Sequence, residues 1–310
     1  MKVIVTGGAG FIGSHIVDTL VNKKYEVIII DNLSNGRLEN VNDKAKFYKM
    51  DIRDNGINNV FENELPDVLI HHAAQISVSN SIEDPKEDAS VNIMGTLNLF
   101  EACRKYNVKK IIYPSSAAVY GEPKHLPIDE EHPLDMESGY GVSKQVIENY
   151  LKVYKKLFKI DFVIYRYSNV YGPRQDSSGE GGVISIFVEN YLHNEPINVF
   201  GDGEQTRDFI YIRDVVEANV MAIENNYIGT FNLCTGQGTS INDLIYNLNK
   251  TYNKKIKVNY KKKRNGDINQ SVMSNSKLFN VTNWKPNYLL REGLEDMNRF
   301  GSEGEGEKYA

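Results

Sequence analysis

Met1-Lys2-Val3-Ile4-Val5-Thr6-Gly7-Gly8-Ala9-Gly10-Phe11-Ile12-Gly13-Ser14-His15-Ile16-Val17-Asp18-Thr19-Leu20-Val21 opens the chain and decides its architecture. The apolar run through Val5 is too short for a helix and reads as a buried strand. The glycines follow with no spacer, and Ser14 to Val21 continues with helical character. Strand, glycine turn and helix in direct succession make a dinucleotide-binding context. Gly7 allows the tight turn, Gly10 leaves backbone bare where a pyrophosphate approaches, and Gly13 lets the helix pack close to the strand. Phe11 and Ile12 complete the loop, whose N–H groups at a helix start favour an anion. A second apolar run, Val27 to Ile30, ends at Asp31. A carboxylate there accepts hydrogen bonds from both ribose hydroxyls and repels a 2'-phosphate, which favours NAD over NADP.

Strand and helix patterns alternate outward from this start, as a parallel sheet with crossover helices requires. Further strands are expected at Lys46–Met50, Val68–His71, Lys110–Tyr113 and Ile160–Tyr165, and long helices at Asn92–Tyr106 and Tyr140–Phe158. The first of these helices shows an apolar stripe of Ile93, Leu97, Phe100 and Ala102. The second shows Val142, Val146, Tyr150 and Val153/Tyr154. Asp51 and Ile52, after the third strand, could hold an adenine, and the small residues after His72 would let backbone approach a cofactor.

The expected fold class is α/β, a Rossmann-type doubly wound parallel sheet with a smaller mixed α/β substrate-binding lobe. Residues 1–168 form the NAD-binding domain in this reading, with 208–233 returning to it. Residues 169–207 and 234–300 form the lobe. Residues 301–310 are too poor in apolar residues to fold and read as a disordered tail left over from expression.

Composition excludes several classes. With 36 basic and 41 acidic residues in 310, the net charge is −5 and no basic face for nucleic acid is implied. No apolar stretch approaches the roughly 20 residues that span a bilayer, and no signal peptide is expected before a strand that begins at residue 2. Cys103 and Cys234 sit among apolar or small neighbours and read as reduced core cysteines. The expectation is a cytoplasmic protein with no metal.

The chemistry centres on Tyr140 and Lys144, four residues apart on one helix face. An ammonium beside a phenol favours the phenolate and lowers the tyrosine pKa from about 10. Such a phenolate takes a hydroxyl proton while hydride leaves for a nicotinamide. Spacing alone decides nothing, because Tyr106/Lys110, Tyr120/Lys124 and Tyr246/Lys250 share it. Only Tyr140 follows the Ser115-Ser116 strand end by a loop and begins a long helix. Ser116, preferred over Ser115, can hydrogen-bond the substrate hydroxyl or the tyrosine oxygen.

Four ordered segments, Thr6–Ser14, Asp31–Gly36, Ser115–Gly121 and Tyr140–Lys144, resemble the extended short-chain dehydrogenase/reductase family, and within it the UDP-glucose 4-epimerases. The likeness continues through Arg166–Arg174, Gly201–Tyr211 and Arg264–Asp267, to about residue 298. It implies that Gly7, Gly10, Phe11, Ile12 and Gly13 hold the pyrophosphate. Asp31, Asn32, Asn35 and Gly36 would lie at the ribose, and Asp51 and Ile52 at the adenine. Ala73 and Asn92 would line the dinucleotide, with Tyr140 and Lys144 at the nicotinamide ribose. Asn169 would contact the sugar nucleotide, and Val183, Val199 and Phe200 the uracil. Arg207 and Arg264 would clamp the diphosphate, for which paired guanidinium donors are apt.

Family dehydratases carry an Asp-Glu pair where this chain has Ala117-Ala118, which disfavours elimination. The implied reaction is redox-neutral inversion at C4 of a UDP-hexose through a 4-keto sugar, on UDP-Glc/UDP-Gal. Ser271 stands at a gate position where the family has tyrosine for plain hexoses and Cys or Ser for N-acetylated ones. It therefore extends the expectation to UDP-GlcNAc/UDP-GalNAc. Ile76, where narrowly galactose-specific members have lysine, points the same way. A uronic acid epimerase, a 4,6-dehydratase and a non-catalytic NAD sensor remain open alternatives. The resemblance also implies a homodimer through helices 92–106 and 140–158.

Overall fold

A computed structural model describes residues 1–177, 182–263 and 268–307, with side chains through residue 300. In chain order the strands are β1 Lys2–Thr6, β2 Glu26–Asp31, β3 Lys46–Lys49, β4 Val68–His71, β5 Lys110–Ser116, β6 Asp161–Tyr167 and β7 Asn169–Tyr171. They continue as β8 Ile197–Phe200, β9 Thr206–Tyr211, β10 Gly229–Leu233, β11 Gly238–Ser240, β12 Val258–Lys261 and β13 Gln270–Ser271.

The first unit comprises Met1–Gly121, Pro133–Tyr167 and Val216–Phe231. Its sheet runs β10-β6-β5-β4-β1-β2-β3, and the neighbours from β3 through β6 are paired in parallel. The 3-2-1-4-5-6 order reverses direction between β1 and β4, and ligands of such sheets sit outside the carboxyl ends of the strands at that switch. The glycine turn follows β1 and the His72–Gln75 turn follows β4, so the sequence delivers both to that point. Val3–Val5, Val27–Ile30 and Val68–Ile70 are buried without alternation, as a sheet covered on both faces demands.

The second unit comprises Glu122–His132, Ser168–Val215 and Asn232–Ala310. Strand β9 is its centre, paired antiparallel with β11 and parallel with β7 and β13; β8 and β12 form a separate parallel pair. Because β9 belongs to this sheet, the return to the first unit begins at Val216 rather than at residue 208. The excursion Glu122–His132 was not expected. Ile128 bridges Met273, and its backbone exchanges hydrogen bonds with Val272 and Ser274, partners that lie far along the chain.

Three local features go beyond the sequence reading. The stretch expected to be one helix from Asn92 is π-helical over Ser90–Gly95 and becomes α-helical over Thr96–Lys105. Its buried face is Leu99, Phe100, Ala102 and Cys103, while Ile93 and Leu97 pack only partly against the core. The helix Gly139–Phe158 buries Ser143, Lys144, Ile147, Glu148, Leu151 and Tyr154, and leaves Val142, Tyr150 and Val153 exposed. Of the apolar stripe read from sequence, Val142, Tyr150 and Val153 therefore face outward and Tyr154 inward, where Ile147 and Leu151 join polar groups with partners in the sheet. Finally, the helix from Leu290 runs to Glu307, into the stretch expected to be a tail. A helix anchored by the buried Leu294 and Met297 extends without a new nucleation step. No helix among the described residues is long and apolar enough to cross a membrane.

Candidate active site

The β1 turn is shaped by what a side chain would strike. Gly7 has φ +67°, and a Cβ there would lie 2.6 Å from Ala73 N, so only glycine fits between the two turns. At Gly13 a Cβ would come within 2.1 Å of Gly7 O, which sets the close packing of helix Phe11–Asn22 on the turn. At Gly10 a Cβ would sit 3.2 Å from Gly7 O, closer than an ordinary contact, so the turn is tightest without a side chain there. No side chain caps this helix, so its first N–H groups and positive dipole end remain for an anion. The cradle fits a pyrophosphate.

Asp31 ends β2 with its carboxylate fixed by backbone: Oδ2 accepts from Ala9 N at 3.0 Å and Oδ1 from Leu33 N at 2.8 Å. Each oxygen keeps a lone pair, so the group can still accept from a ribose. A Cβ on Gly36 would lie 2.8 Å from this carboxylate, which accounts for glycine there. Asn32 donates to Asp51 Oδ2 at 2.9 Å. Arg53, a residue the sequence reading missed, grips Asp51 with two bonds of 2.9 Å and pushes its pKa down to about 2. Ile52 beside it is buried. Asn35 sits in the polar loop after β2.

After β4, Ala73 N donates to Thr6 Oγ1 at 3.2 Å. Asn92 accepts from Gln75 N at 2.8 Å and donates to Gln75 O at 2.9 Å and Asp88 Oδ1 at 3.0 Å. Its amide hydrogens are committed to protein, so Asn92 shapes a ligand surface chiefly through the turn it staples. Asp88, itself buried, also accepts from Gln75 Nε2 at 2.9 Å and was likewise not foreseen.

Ser116, Tyr140 and Lys144 come together at the end of β5. Ser116 lies near enough to the Tyr140 phenol to favour its ionised form, and accepts from Ala118 N at 3.2 Å. Lys144 Nζ donates to Pro114 O at 2.8 Å and lies 5.0 Å from the Tyr113 ring centre and 5.6 Å from that of Tyr140. The titration expected from sequence is reversed. Desolvation pushes Tyr140 up to about 12, against the Ser116 hydrogen bond, and the Asp88 charge adds to the rise. Desolvation also pushes Lys144 down to about 8, which the Asp88 charge partly offsets. Burial disfavours phenolate and ammonium alike, and here it outweighs their mutual help. The resting site is a phenol beside a weakly held ammonium.

In the second unit Arg207 and Ser271 are register partners in β9 and β13, and Thr239 faces Arg207 from β11. Asn169 pairs with Phe209, two residues on from Arg207. With the period of two along a strand, Asn169, Arg207 and Ser271 share one face of this sheet. Arg207 Nη1 donates to Thr206 O at 2.9 Å and Ile268 O at 2.8 Å, which orients its guanidinium. Val183 opens the helix Val183–His193 half-buried, Val199 is buried on β8, and Phe200 is half-buried beside it. Arg264 lies outside the described residues.

Comparison with known proteins agrees with this geometry. The profile of the NAD dependent epimerase/dehydratase family matches residues 3–234. A putative UDP-glucose 4-epimerase of Methanocaldococcus jannaschii is 46% identical over 94% of this chain and 96% of its own. The crystal structure of a UDP-glucose 4-epimerase with UDP-glucose from Thermotoga maritima superposes with TM-score 0.95 at 41% identity, covering 98% of this chain and 99% of that one. A UDP-N-acetylglucosamine 4-epimerase from Methanobrevibacter ruminantium, in complex with UDP-N-acetylmuramic acid, gives 0.93 at 37%, covering 98% of each chain. A glycine cradle on a 3-2-1-4-5-6 sheet, a serine–tyrosine–lysine cluster at β5 and relatives along nearly the whole length converge. The chain belongs to the NAD dependent epimerase/dehydratase family of extended short-chain dehydrogenase/reductases, and is of the UDP-glucose 4-epimerase type.

Proposed function

We propose that this chain is an NAD-dependent UDP-hexose 4-epimerase in which Tyr140 moves the C4 hydroxyl proton. The observation that carries the reading is the clustering at the end of β5 of Lys144, anchored on Pro114 O at 2.8 Å, with the Tyr140 ring 5.6 Å from its Nζ and Ser116 beside the phenol. NAD, held by the Gly7–Gly13 turn and Asp31, supplies when bound a hydride acceptor and a positive charge. As the phenolate, which the positive charge of the bound cofactor would favour, Tyr140 takes the C4 hydroxyl proton through Ser116 while the C4 hydride leaves. Once the 4-keto sugar has turned over, hydride returns to its other face and the phenol gives the proton back. Lys144 orients the nicotinamide ribose. Arg207 holds the diphosphate while the sugar rotates, and Asn169 on the same sheet face contacts the nucleotide sugar. The turn after Ser116 is built from Ala117 and Ala118, with no acid to protonate a leaving hydroxyl, so elimination is not supported.

The sugar range follows from Ser271. It stands directly beside Arg207, so its small side chain leaves space next to the diphosphate clamp for an N-acetyl group. We expect interconversion of both UDP-Glc/UDP-Gal and UDP-GlcNAc/UDP-GalNAc with no added reductant. Ser271→Tyr should reduce kcat/KM for the N-acetylated pair by about 10- to 200-fold and spare the plain pair, the range a filled pocket commands. Product analysis with each sugar nucleotide supplied separately decides it. Equal loss on both pairs would remove Ser271 as a gate, and turnover of UDP-glucuronic acid alone would move the substrate to a uronic acid.

The outer face of helix Gly139–Phe158 supports a homodimer. Val142, Tyr150, Val153, Leu157 and Phe158 are all exposed there, and Met94 on the Ser90–Gly95 segment is 63% exposed. Exposed apolar side chains repeated along one helix face are a mark of an interaction site. Val153→Asp with Leu157→Asp should convert a dimer into a monomer by light scattering with the fold retained. A monomeric wild type would refute this arrangement.

A further inference from the structure

We propose that Glu148 and Arg166 form a positioning pair that sets the distance between Ser116 and Tyr140, an inference that rests on Tyr140 being the acid–base group. The two side chains are buried, Glu148 to 1% exposure and Arg166 to 3%. Their contact is bidentate: Arg166 Nε donates to Oε1 at 2.9 Å and Nη2 to Oε2 at 2.6 Å. Ser115 Oγ donates to the same Oε1 at 2.6 Å, and Ser115 is the register partner of Arg166 across β5 and β6. The remaining Arg166 donor, Nη1, reaches the Tyr120 hydroxyl at 2.9 Å, and the guanidinium carbon lies 4.9 Å from the centre of that ring.

This network brackets Ser116. Ser115 precedes it, and Tyr120 follows the short turn Ala117–Val119 that leads away from it. From the helix side, Tyr140, Lys144 and Glu148 are spaced four residues apart and share a face. Tyr140 meets Ser116, Lys144 meets Pro114 O and the Tyr113 ring, and Glu148 meets Ser115. One helix face thus grips four consecutive residues of β5, and Glu148 is the acidic member of that face.

Stability does not account for the pair. Taking both charges out of water costs about as much as their attraction returns, and apolar residues of similar volume often do as well or better. What an apolar pair lacks is direction. Paired charge-assisted hydrogen bonds accept only a narrow range of angles and distances. They fix the rotation of the β5 end against the helix, and with it the reach of Ser116 Oγ to the phenol. Displacements of an ångström at a proton-transfer site can cost on the order of 100-fold in rate.

The test compares wild type, Glu148→Met/Arg166→Met and Glu148→Gln as holoproteins. We measure kcat and KM with UDP-glucose, the melting temperature, and the ring Cζ resonance of Tyr140 in 13C-tyrosine-labelled protein, assigned with Tyr140→Phe. The double variant should melt near wild type and keep KM within about 3-fold, while kcat falls about 30-fold, between the effect of losing one positioning contact and that of losing the base. The Tyr140 resonance should move as the β5 end that carries Ser116 shifts against the phenol. Glu148→Gln preserves shape and part of the bonding and should fall between; it carries the test where the double variant does not fold. A lowered melting temperature with unchanged kcat and an unmoved resonance would show a merely structural pair and overturn the proposal. The resonance needs no substrate. If wild type fails to epimerise UDP-glucose yet the signal moves in the variants, the substrate assignment fails and the positioning role stands.

Discussion

Tyr140→Phe will lower kcat for C4 inversion by about 10³-fold, in the middle of the range that a positioned acid–base group contributes. KM and NAD content should change little. The substitution removes one oxygen and keeps the ring that lies 5.6 Å from Lys144 Nζ, so helix Gly139–Phe158 retains its seat on β5. The loss is large because nothing nearby replaces the phenol. His72 is held neutral at about 3 by burial and the Lys144 charge, too weak a base to take a hydroxyl proton. Asp88 is occupied by Gln75 and Asn92. Ser116 can relay a proton but not keep one. Coupled product assays and absorbance of the retained cofactor measure both halves of the expectation. Residual turnover within about 10-fold of wild type would exclude Tyr140 as the base, because general acid–base groups contribute at least about 100-fold.

What could be read in advance was contiguous or nearly so. The glycine turn and its helix need only neighbouring residues, and Asp31 is placed by the next apolar run. Tyr140 and Lys144 were found because a strand end and a helix start flank them, although three other pairs share their spacing. The pairings that hold the site were not legible, since they join residues brought close only by the sheet. Arg166 meets Glu148 from the neighbouring strand, Ile128 meets Met273, and Arg207 meets Ser271 through register. Which face of helix Gly139–Phe158 meets the core was not legible for a related reason. Hydrophobic periodicity marks a core face clearly only when that face is uniformly apolar, and here the buried face mixes Ile147, Leu151 and Tyr154 with Ser143, Lys144 and Glu148. The Tyr140 titration was misjudged because sequence shows a cation four residues away but not the desolvation that both groups suffer.

Lys144→Met will stabilise the cofactor-free protein at neutral pH while abolishing most turnover. Lys144 is buried to 4% exposure, and its counter-interactions are one carbonyl, two aromatic faces and the more distant Asp88 charge. Burial moves it from its ordinary 10.5 to about 8. Between those values the unfolded chain binds the proton more readily than the folded one, so this group makes stability rise with pH across that window. The contribution is fully present above the unfolded value and is lost as pH falls through about 8. At pH 7 both states are protonated and the fold bears the whole penalty, of the order of 3 kcal/mol at 1.36 kcal/mol per unit. A methionine of similar length fills the space without a charge, so a gain of roughly 1–3 kcal/mol is expected at pH 7, shrinking towards pH 10. Tyr140 acts in the opposite sense only above pH 10, where its raised pKa makes stability fall with pH, so it does not mask the effect. Melting temperatures of both proteins at pH 7 and pH 10, without and with NAD, measure this. The ranking should narrow or invert with NAD if, as proposed, the wild-type ammonium meets the nicotinamide ribose. A lower melting temperature for the variant at pH 7 would mean that the Pro114 bond and the ring faces outweigh desolvation, and that the ammonium is not held at a cost to the fold. The expected outcome places the strain at the residue that carries the charge, where a site built for turnover concentrates it.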